Sequence, residues 1–259
     1  MTLRCNIKGV SVMINQLKEQ LKRLKLSGML EHIDLRILES QQNQLSYSEF
    51  LAMLVTDEIE KRNMAKLGRL VKQANLGVEK TLESFDLSFN HSINAAGIRE
   101  LCSCQFIEKG ENIFFLGPTG TGKTHLAKAI CHMACRKYLT VAFFPFYQFF
   151  NELSKASLNN QLNKFMKKLI KVDLLAIDDF AFKKIDQKAA EFLYTIVDTR
   201  YTVKSIILTS NRAMTDWSSI FPDPVVANAI LDRLAHNAHQ IVIKGESYRK
   251  KFKPKLKNA

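Results

Sequence analysis

The segment 112–128 constrains the fold of this chain more than any other part. An apolar run at 112–116 leads into Gly117-Pro-Thr-Gly-Thr-Gly-Lys-Thr124, and a helix-like run beginning at His125 follows. Glycines in such a loop allow positive φ angles, so successive backbone N–H groups can surround phosphate oxygens while the following helix adds its dipole. Because the G-x-x-x-x-G-K-T spacing lies between a strand and a helix, it predicts a phosphate-binding P-loop rather than an ordinary glycine-rich turn.

The side chains of this loop have distinct expected roles. Lys123 should reach the β- and γ-phosphates of a nucleoside triphosphate, and the Thr124 hydroxyl should ligate Mg²⁺. The other loop residues should contact the phosphates: Gly117, Pro118, Thr119, Gly120, Thr121 and Gly122. The loop therefore predicts ATP and Mg²⁺ as cofactors.

Two adjacent acids end a second apolar run, Leu174-Leu-Ala-Ile-Asp-Asp179. Phosphoryl transfer needs a carboxylate for the Mg²⁺ shell and another group to orient water, so Asp178 is the expected metal residue and Asp179 the water-orienting residue. Such a pair alone is often a solvated strand end, and its functional interpretation depends on the P-loop. Because Asp179 is one methylene shorter than glutamate, the pair also predicts slow hydrolysis.

Three further polar residues are candidates for the same site. Asn211 ends the run that begins at Ser205, and at that end of a parallel sheet it should help to position water; a turn-forming role is the alternative. Arg233, on a helix-like segment, either stabilises transition-state charge in a neighbouring subunit or pairs with a carboxylate of its own chain such as Asp232 or Glu246. Arg249, in Gly-Glu-Ser-Tyr-Arg, is a second candidate for that role.

The apolar pattern predicts an α/β fold with a five-stranded parallel sheet. After about residue 90, short apolar runs alternate with helix-like stretches, as expected for strands that helices cover on both faces. The expected strands are 112–116, 140–145, 173–177, 205–209 and 240–243.

The same pattern divides the chain into segments. Residues 13–90 have apolar side chains at helical spacing and are expected to form a small helical domain that binds DNA or a partner. Residues 1–12 do not join this pattern and are set apart as a leader of uncertain structure. Residues 91–245 should form the P-loop ATPase domain, and residues 246–259 a basic C-terminal tail.

The charge of the chain favours a polyanionic partner. The formal net charge is +13 and the isoelectric point is about 9.5. A field of this sign attracts nucleic acid, although a merely basic surface is the alternative. Lysine-rich surfaces contact phosphates more than base edges, so double-stranded DNA bound largely without regard to sequence is the expected partner.

The cysteines and the hydropathy pattern indicate the compartment. The five cysteines lack zinc-ligand spacing and are expected to be free thiols in a reducing cytoplasm: Cys5, Cys102, Cys104, Cys131 and Cys135. No stretch reaches the roughly 18 apolar residues of a membrane span, so no membrane partner is expected.

The order of the motifs resembles the IstB-like ATP-binding proteins of bacterial insertion sequences and, more distantly, the DnaC helicase loader. The resemblance runs from about Asn15 to Arg249. It is carried by Thr-Ser-Asn-Arg212, Asp-Trp217, Leu-Asp-Arg-Leu234 and, most specifically, Gly-Glu-Ser-Tyr-Arg249. It implies an AAA+ fold that assembles as a homo-oligomer on DNA with ATP and assists a transposase encoded beside it.

The resemblance also implies roles for individual residues. Lys123 and Thr124 match the Walker A residues, Asp178 and Asp179 the Walker B pair, Asn211 the first sensor, and Arg233 the arginine that acts on a neighbouring subunit. Arg249 matches an arginine of the family whose role is open. One departure is Ala181, where glycine often follows Asp-Asp-Phe, and a stiffer turn is expected there.

Four functions remain open at this point. The first is an ATP-switched helper of transposition, and the second, within the same fold, is a DnaC-like loader of a replicative helicase. A nucleotide kinase is disfavoured because the acids, Asn211 and Arg233 suit water activation and contact between subunits. A GTPase is disfavoured because no Asn-Lys-x-Asp segment occurs. A module that binds ATP without hydrolysing it is kept open by Asp179.

Overall fold

The chain forms two compact units, Met1–Arg69 and Leu70–Ala259. The computed structural model describes residues 3–77, 80–248 and 250, and residues 3–11 by their backbone alone. The boundary between the units lies ahead of the expected one at residue 90. The reason is that the segment after residue 70 folds with the second unit: Lys128 donates to the Leu76 carbonyl, and His125 contacts the Thr81 carbonyl.

The first unit is helical, as expected, but its first helix is longer than expected. The helices are α1 (Leu3–Arg23), α2 (Ser27–Asn43) and α3 (Tyr47–Ala74), the last of which continues into the second unit. The prediction that the helix begins near Met13 is wrong. Apolar residues at Leu3, Ile7 and Val10 continue the spacing of four and three that leads to Ile14, so the upstream segment does join the helical pattern.

A small core and a polar cap hold the first unit together. Leu21, Ile33 and Leu54, one from each helix, are buried against one another. The Glu58 carboxylate accepts the Gly28 N–H at 2.6 Å and so supplies a partner for the free amides at the start of α2. A Cβ on Gly28 would lie 2.5 Å from a backbone oxygen of α3, so glycine permits the two helices to approach.

The second unit contains a five-stranded parallel sheet in the order β2-β3-β4-β1-β5. Its strands are β1 (Asn112–Leu116), β2 (Val141–Pro145), β3 (Leu174–Asp178), β4 (Ser205–Ser210) and β5 (Ala238–Val242). All five predicted strands are present. β5 begins at Ala238 rather than at the expected residue 240. The apolar pattern did not reveal this start, because β5 is an edge strand and His239 and Gln240 are exposed polar residues.

Helices connect these strands. They are α4 (Ala95–Cys102), α5 (Gln105–Glu108), α6 (Lys123–Arg136), α7 (Phe146–Leu158), α8 (Leu162–Lys171), α9 (Gln187–Arg200) and α10 (Pro224–His236), with a 3₁₀ helix at Met214–Ile220. β1 runs directly into the P-loop and α6, whose apolar face is buried. Because β1 lies between β4 and β5, the P-loop leaves the sheet beside the carboxyl end of β4.

Buried aromatic rings fix the carboxyl ends of β3 and β4. The fully buried Trp217 ring lies 5.2 Å from the Phe114 ring and 4.8 Å from the Phe180 ring, in edge-to-face geometry. Its indole N–H donates to the Ser210 hydroxyl at 3.2 Å, and that hydroxyl donates to the Phe180 carbonyl at 2.7 Å. These contacts hold the residues after both strands in one arrangement.

Arg200, at the end of α9, is a fully buried cation. Its guanidinium donates to five backbone carbonyls, those of Leu169, Ile170, Val172, Asp173 and Ser205. Several of these carbonyls close the end of α8, where helical carbonyls lack partners of their own. Burial lowers the pKa of Arg200 to about 10, which leaves the group charged at neutral pH.

Candidate nucleotide-binding site

The P-loop adopts the backbone conformation that its glycines allow. Gly117, Gly120 and Gly122 have φ angles of 142°, 85° and 101°. A Cβ would also lie 2.0 Å from the Ile243 carbonyl oxygen at Gly117, and 2.0 Å from the Ser247 hydroxyl at Gly120. Glycine is therefore required at these two positions for both conformation and space.

Lys123 and Thr124 open α6 at the base of this loop. Lys123 as a residue is 5% exposed, and its ammonium donates to the carbonyls of Gly117 and Pro118, each at 2.7 Å. This places a positive charge within the loop, at the start of a helix whose dipole favours anions. The Thr124 hydroxyl donates to Asp178 Oδ1 at 2.8 Å.

Asp178 receives hydroxyl hydrogen bonds from two directions. Besides Thr124, the Thr209 hydroxyl of β4 donates to the same Oδ1 at 2.5 Å, and Asp178 is 7% exposed. A buried carboxylate beside a threonine hydroxyl offers the hard oxygen donors that Mg²⁺ takes. Among the described residues no group of three or more His, Cys, Asp or Glu side chains gathers.

Asp179 is exposed and begins a tight turn. Its φ is 54°, a region that Asp tolerates better than most residues, and its N–H donates to the Thr209 hydroxyl at 2.9 Å. Buried Ala181 in the same turn has a φ of 64°. Glycine would adopt this angle without the roughly 1–2 kcal/mol cost that a Cβ brings, so the departure from the family pattern falls at a strained position.

A cavity of about 500 Å³ joins these groups. Its lining includes the P-loop from Thr119 to Thr124, with Asp179, Phe182 and Asn211. Asn211 is exposed just beyond the end of β4. The structure thus brings Lys123, Thr124, Asp179 and Asn211 to one cavity at the carboxyl ends of the strands, and Asp178 lies behind its lining, in contact with Thr124.

The other side of the cavity has residues that the sequence did not single out. Phe85 lies against the P-loop, where a Cβ on Gly122 would meet its ring at 2.7 Å. The rings of Phe89 and Tyr248 are 4.8 Å apart in edge-to-face geometry, and both line the cavity with Lys80. An aromatic wall opposite a phosphate loop suits a nucleobase.

The Gly-Glu-Ser-Tyr motif near the end of the chain packs on the P-loop, which gives this segment of the resemblance a structural role. The Tyr248 N–H donates to the Gly120 carbonyl at 2.9 Å. Asn90 donates to the Lys244 carbonyl at 2.7 Å and so ties the segment before the sheet to the segment after it. The signal was present in the motif, but neither Phe85 nor Phe89 belongs to a pattern that marks a base-binding wall.

Two basic side chains of α6 contact backbone carbonyls in the segment that precedes the aromatic rings Phe85 and Phe89 in the chain. His125 lies 2.8 Å from the Thr81 carbonyl, and Lys128 donates to the Leu76 carbonyl at 3.0 Å. Burial lowers the pKa of both groups. These contacts explain why residues 70–90 fold with the P-loop and not with the first unit.

Arg233 does not line the cavity. Its Nε lies 2.9 Å from Asp198 Oδ1, and its guanidinium carbon is 5.3 Å from the centre of the Tyr194 ring. The ion pair expected as the alternative is present, but its partner is Asp198 rather than Asp232 or Glu246. The role in a neighbouring subunit stays a prediction. Arg249 lies outside the described residues, as does the tail from residue 251.

The four described cysteines are buried free thiols, as predicted. Burial raises the pKa of Cys102, Cys104 and Cys135 to about 11 and that of Cys131 well above its usual value. They therefore remain protonated and poorly reactive at neutral pH. No described helix is long and apolar enough to span a membrane.

The fold and site define a nucleotide-binding domain of the AAA+ class. The DnaC helicase loader has the same fold, with a TM-score of 0.56 at 24% identity over 64% of this chain and 97% of that one. A family model described as IstB-like ATP binding protein matches residues 19–256, and the chain belongs to that family.

Relatives from insertion sequences agree with this assignment. An ATP-binding protein in an insertion sequence of Mycobacterium tuberculosis is 36% identical over 239 residues, which cover 92% of this chain and 95% of that protein. The ATP-binding protein of insertion sequence IS21 from Pseudomonas aeruginosa is 37% identical over 242 residues, with 93% and 91% covered. The likeness thus extends over nearly the whole chain in both cases.

Proposed function

We propose that this protein is an ATP-dependent DNA-binding helper of an insertion-sequence transposase, and that it hydrolyses ATP to ADP and phosphate. The observation that carries the proposal is the 2.8 Å contact between Thr124 and Asp178 beneath the P-loop. Asp179 and Asn211 line the same cavity. The insertion-sequence relatives support the link to transposition.

Each group of the site has one task in this proposal. Lys123 and the P-loop amides bind the β- and γ-phosphates, and Thr124 with Asp178 hold Mg²⁺, which would neutralise charge on the phosphate oxygens. Asp179 and Asn211 orient the attacking water. Since Asp179 is short, its reach to that water is limited and turnover is slow.

The DNA surface of the second unit includes α8. This helix buries Met166 and Leu169 on one face. The opposite face has four exposed lysines: Lys164, Lys167, Lys168 and Lys171. In the first unit, by contrast, Lys61 and Arg62 pair with carboxylates, which reduces the charge available to DNA. Contacts of this kind to phosphates give binding that falls steeply with added salt.

Assembly of several copies completes the proposal. Arg233 is absent from the lining of the cavity in its own chain, so it would act on the nucleotide of a neighbouring copy. Mixing Arg233→Ala protein with Lys123→Ala protein tests this idea, since a shared site restores turnover in the mixture. Turnover that stays absent in every mixture contradicts it. We place the assembly with its transposase in the cytoplasm, where the buried thiols stay reduced.

Phosphate release with and without duplex DNA tests the function as a whole. Stimulation by duplex DNA, lost in Lys123→Ala, is the expected result. Equal release in both conditions contradicts a DNA-switched helper.

The likeness in fold to the DnaC loader keeps a helicase loader as the alternative. That alternative is favoured by stimulation with single-stranded DNA alone and by binding to a replicative helicase rather than to the transposase.

A further inference from the structure

The turn after β3 presents a phenylalanine ring in a fixed position. The Phe180 N–H donates to the Thr209 carbonyl at 2.7 Å, and the Phe182 N–H donates to the Asp179 carbonyl at 3.2 Å. The Phe180 ring is buried, whereas the Phe182 residue is 68% exposed. The turn thus presents a large apolar ring to solvent, and it becomes informative where other aromatic and charged groups lie beside it.

An exposed tyrosine lies next to this turn. The Lys183 ammonium is 4.8 Å from the centre of the Tyr147 ring, which places the start of α7 beside the turn. Tyr147 is 57% exposed, and it lines a groove of about 520 Å³ together with Lys155 and Lys168. Two accessible rings and several ammonium groups therefore share one surface.

The charge of this surface identifies the kind of partner. The two segments that form it, 146–171 and 182–188, contain eight lysines against the two acids Glu152 and Asp186. One acid, Glu152, already pairs with Lys155. An apolar protein partner would leave the lysines unmatched, whereas duplex DNA supplies phosphates for the lysines and base steps at which an aromatic ring can insert.

We propose that Phe182, beside Tyr147 and Lys183, inserts at a base step of the bound DNA and stacks on a base there. This inference rests on the proposed function, which names DNA as partner but only its phosphates as contacts. The turn that carries Phe182 begins at Asp179, and both residues line the nucleotide cavity. A nucleotide in that cavity would contact the turn, so the inference includes that stacking depends on ATP.

A fluorescent ring at position 182 tests the stacking. The chain has one tryptophan, the buried Trp217, so Phe182→Trp adds one exposed fluorophore over a constant background. With a non-hydrolysable ATP analogue and a labelled duplex, the added emission should be quenched over the range in which the label's anisotropy rises. A rise in anisotropy without quenching overturns the inference and leaves the proposed function standing. If the unaltered protein does not raise the anisotropy of the labelled duplex, both the inference and the proposed DNA binding are contradicted.

The same experiment separates DNA from a second copy of the chain. If nucleotide alone shifts the emission of the Phe182→Trp protein to the blue and DNA adds nothing, another copy covers the ring. That result also overturns the inference. Loss of ATP affinity by Phe182→Ala, measured by calorimetry, overturns it too, because the ring would then belong to the nucleotide site.

Affinity measurements separate stacking from charge. Phe182→Ala should weaken duplex binding by at most about 150-fold, because the cost of unstacking the base step offsets part of the roughly 1–3 kcal/mol that stacking on one base contributes. It should leave the salt dependence unchanged. Lys183→Gln with Lys184→Gln should reduce the salt dependence. Tyr201→Ala is the matched control, because Tyr201 is a partly exposed ring that precedes the amino end of β4, whereas Phe182 lies near the carboxyl ends of the strands. Equal losses in Phe182→Ala and Tyr201→Ala contradict stacking at this turn.

Discussion

Thr124 Oγ1 and Asp178 Oδ1 lie 2.8 Å apart although 54 positions separate them in the chain. The contact joins the start of α6 to the end of β3 across β1 and β4 of the sheet. It brings the two predicted metal residues to one point beside the P-loop. The chemistry that we propose depends on this juxtaposition.

Asp178→Asn should raise the Mg²⁺ concentration needed for half-maximal ATP binding by about tenfold or more. The amide keeps the shape of the side chain and can accept the hydroxyl hydrogen bonds, but it lacks the negative charge that holds the cation. Titration of Mg²⁺ at fixed ATP measures the change. Asp186→Asn is the control, because Asp186 caps α9 and asparagine caps equally well. An unchanged Mg²⁺ requirement in Asp178→Asn contradicts the assignment.

Asp179→Asn should lower the rate of phosphate release at least about 100-fold while ATP affinity stays the same. Asparagine tolerates the positive φ of this position, so the turn should keep its conformation. Single-turnover hydrolysis and calorimetry on the same protein separate the two quantities. Hydrolysis at the original rate would show that another group orients the water.

Phe89→Leu and Tyr248→Leu should each weaken ATP binding by about tenfold, the effect of losing a favourable aromatic contact. Inorganic triphosphate, which lacks a base, should bind these variants as well as the unaltered protein. Lys123→Ala should weaken both ligands. Competition against a fluorescent nucleotide gives the affinities. If both ligands lose affinity equally in Tyr248→Leu, the aromatic wall does not face the base.

Arg200→Met should destabilise the second unit by about 3 kcal/mol or more, because several buried carbonyls lose their donor. Arg136→Met is the control, since the Arg136–Glu83 pair is exposed and should contribute less than about 1 kcal/mol. Urea unfolding monitored through Trp217 reports both values. Equal losses in the two variants contradict the role given to Arg200.

Local sequence patterns predicted the five strands of the sheet and the P-loop that forms the phosphate-binding part of the site. The strands are continuous apolar runs, and the loop 117–124 has a spacing that few other structures share. The acids at the end of β3 and Asn211 after β4 were predicted from their positions at strand ends together with the P-loop. The start of α1 at Leu3 was also readable, since its apolar spacing continues upstream of Met13.

Contacts between distant segments were beyond such patterns. The aromatic wall depends on Phe89 meeting Tyr248, and the unit boundary depends on His125 and Lys128 binding carbonyls before residue 82. Arg200 has no motif, because its partners are backbone carbonyls that any sequence supplies. The partner of Arg233, Asp198, lies on another helix and has no fixed spacing from it.

Calorimetric titration of the protein with ATP at millimolar Mg²⁺, beside Lys123→Ala, tests the central claim most directly. The buried Lys123 ammonium and the P-loop amides should give saturable heat at one ATP per chain, and the variant should give none. The absence of heat from the unaltered protein, with and without duplex DNA, would contradict the account. Equal heat from both proteins would contradict it as well.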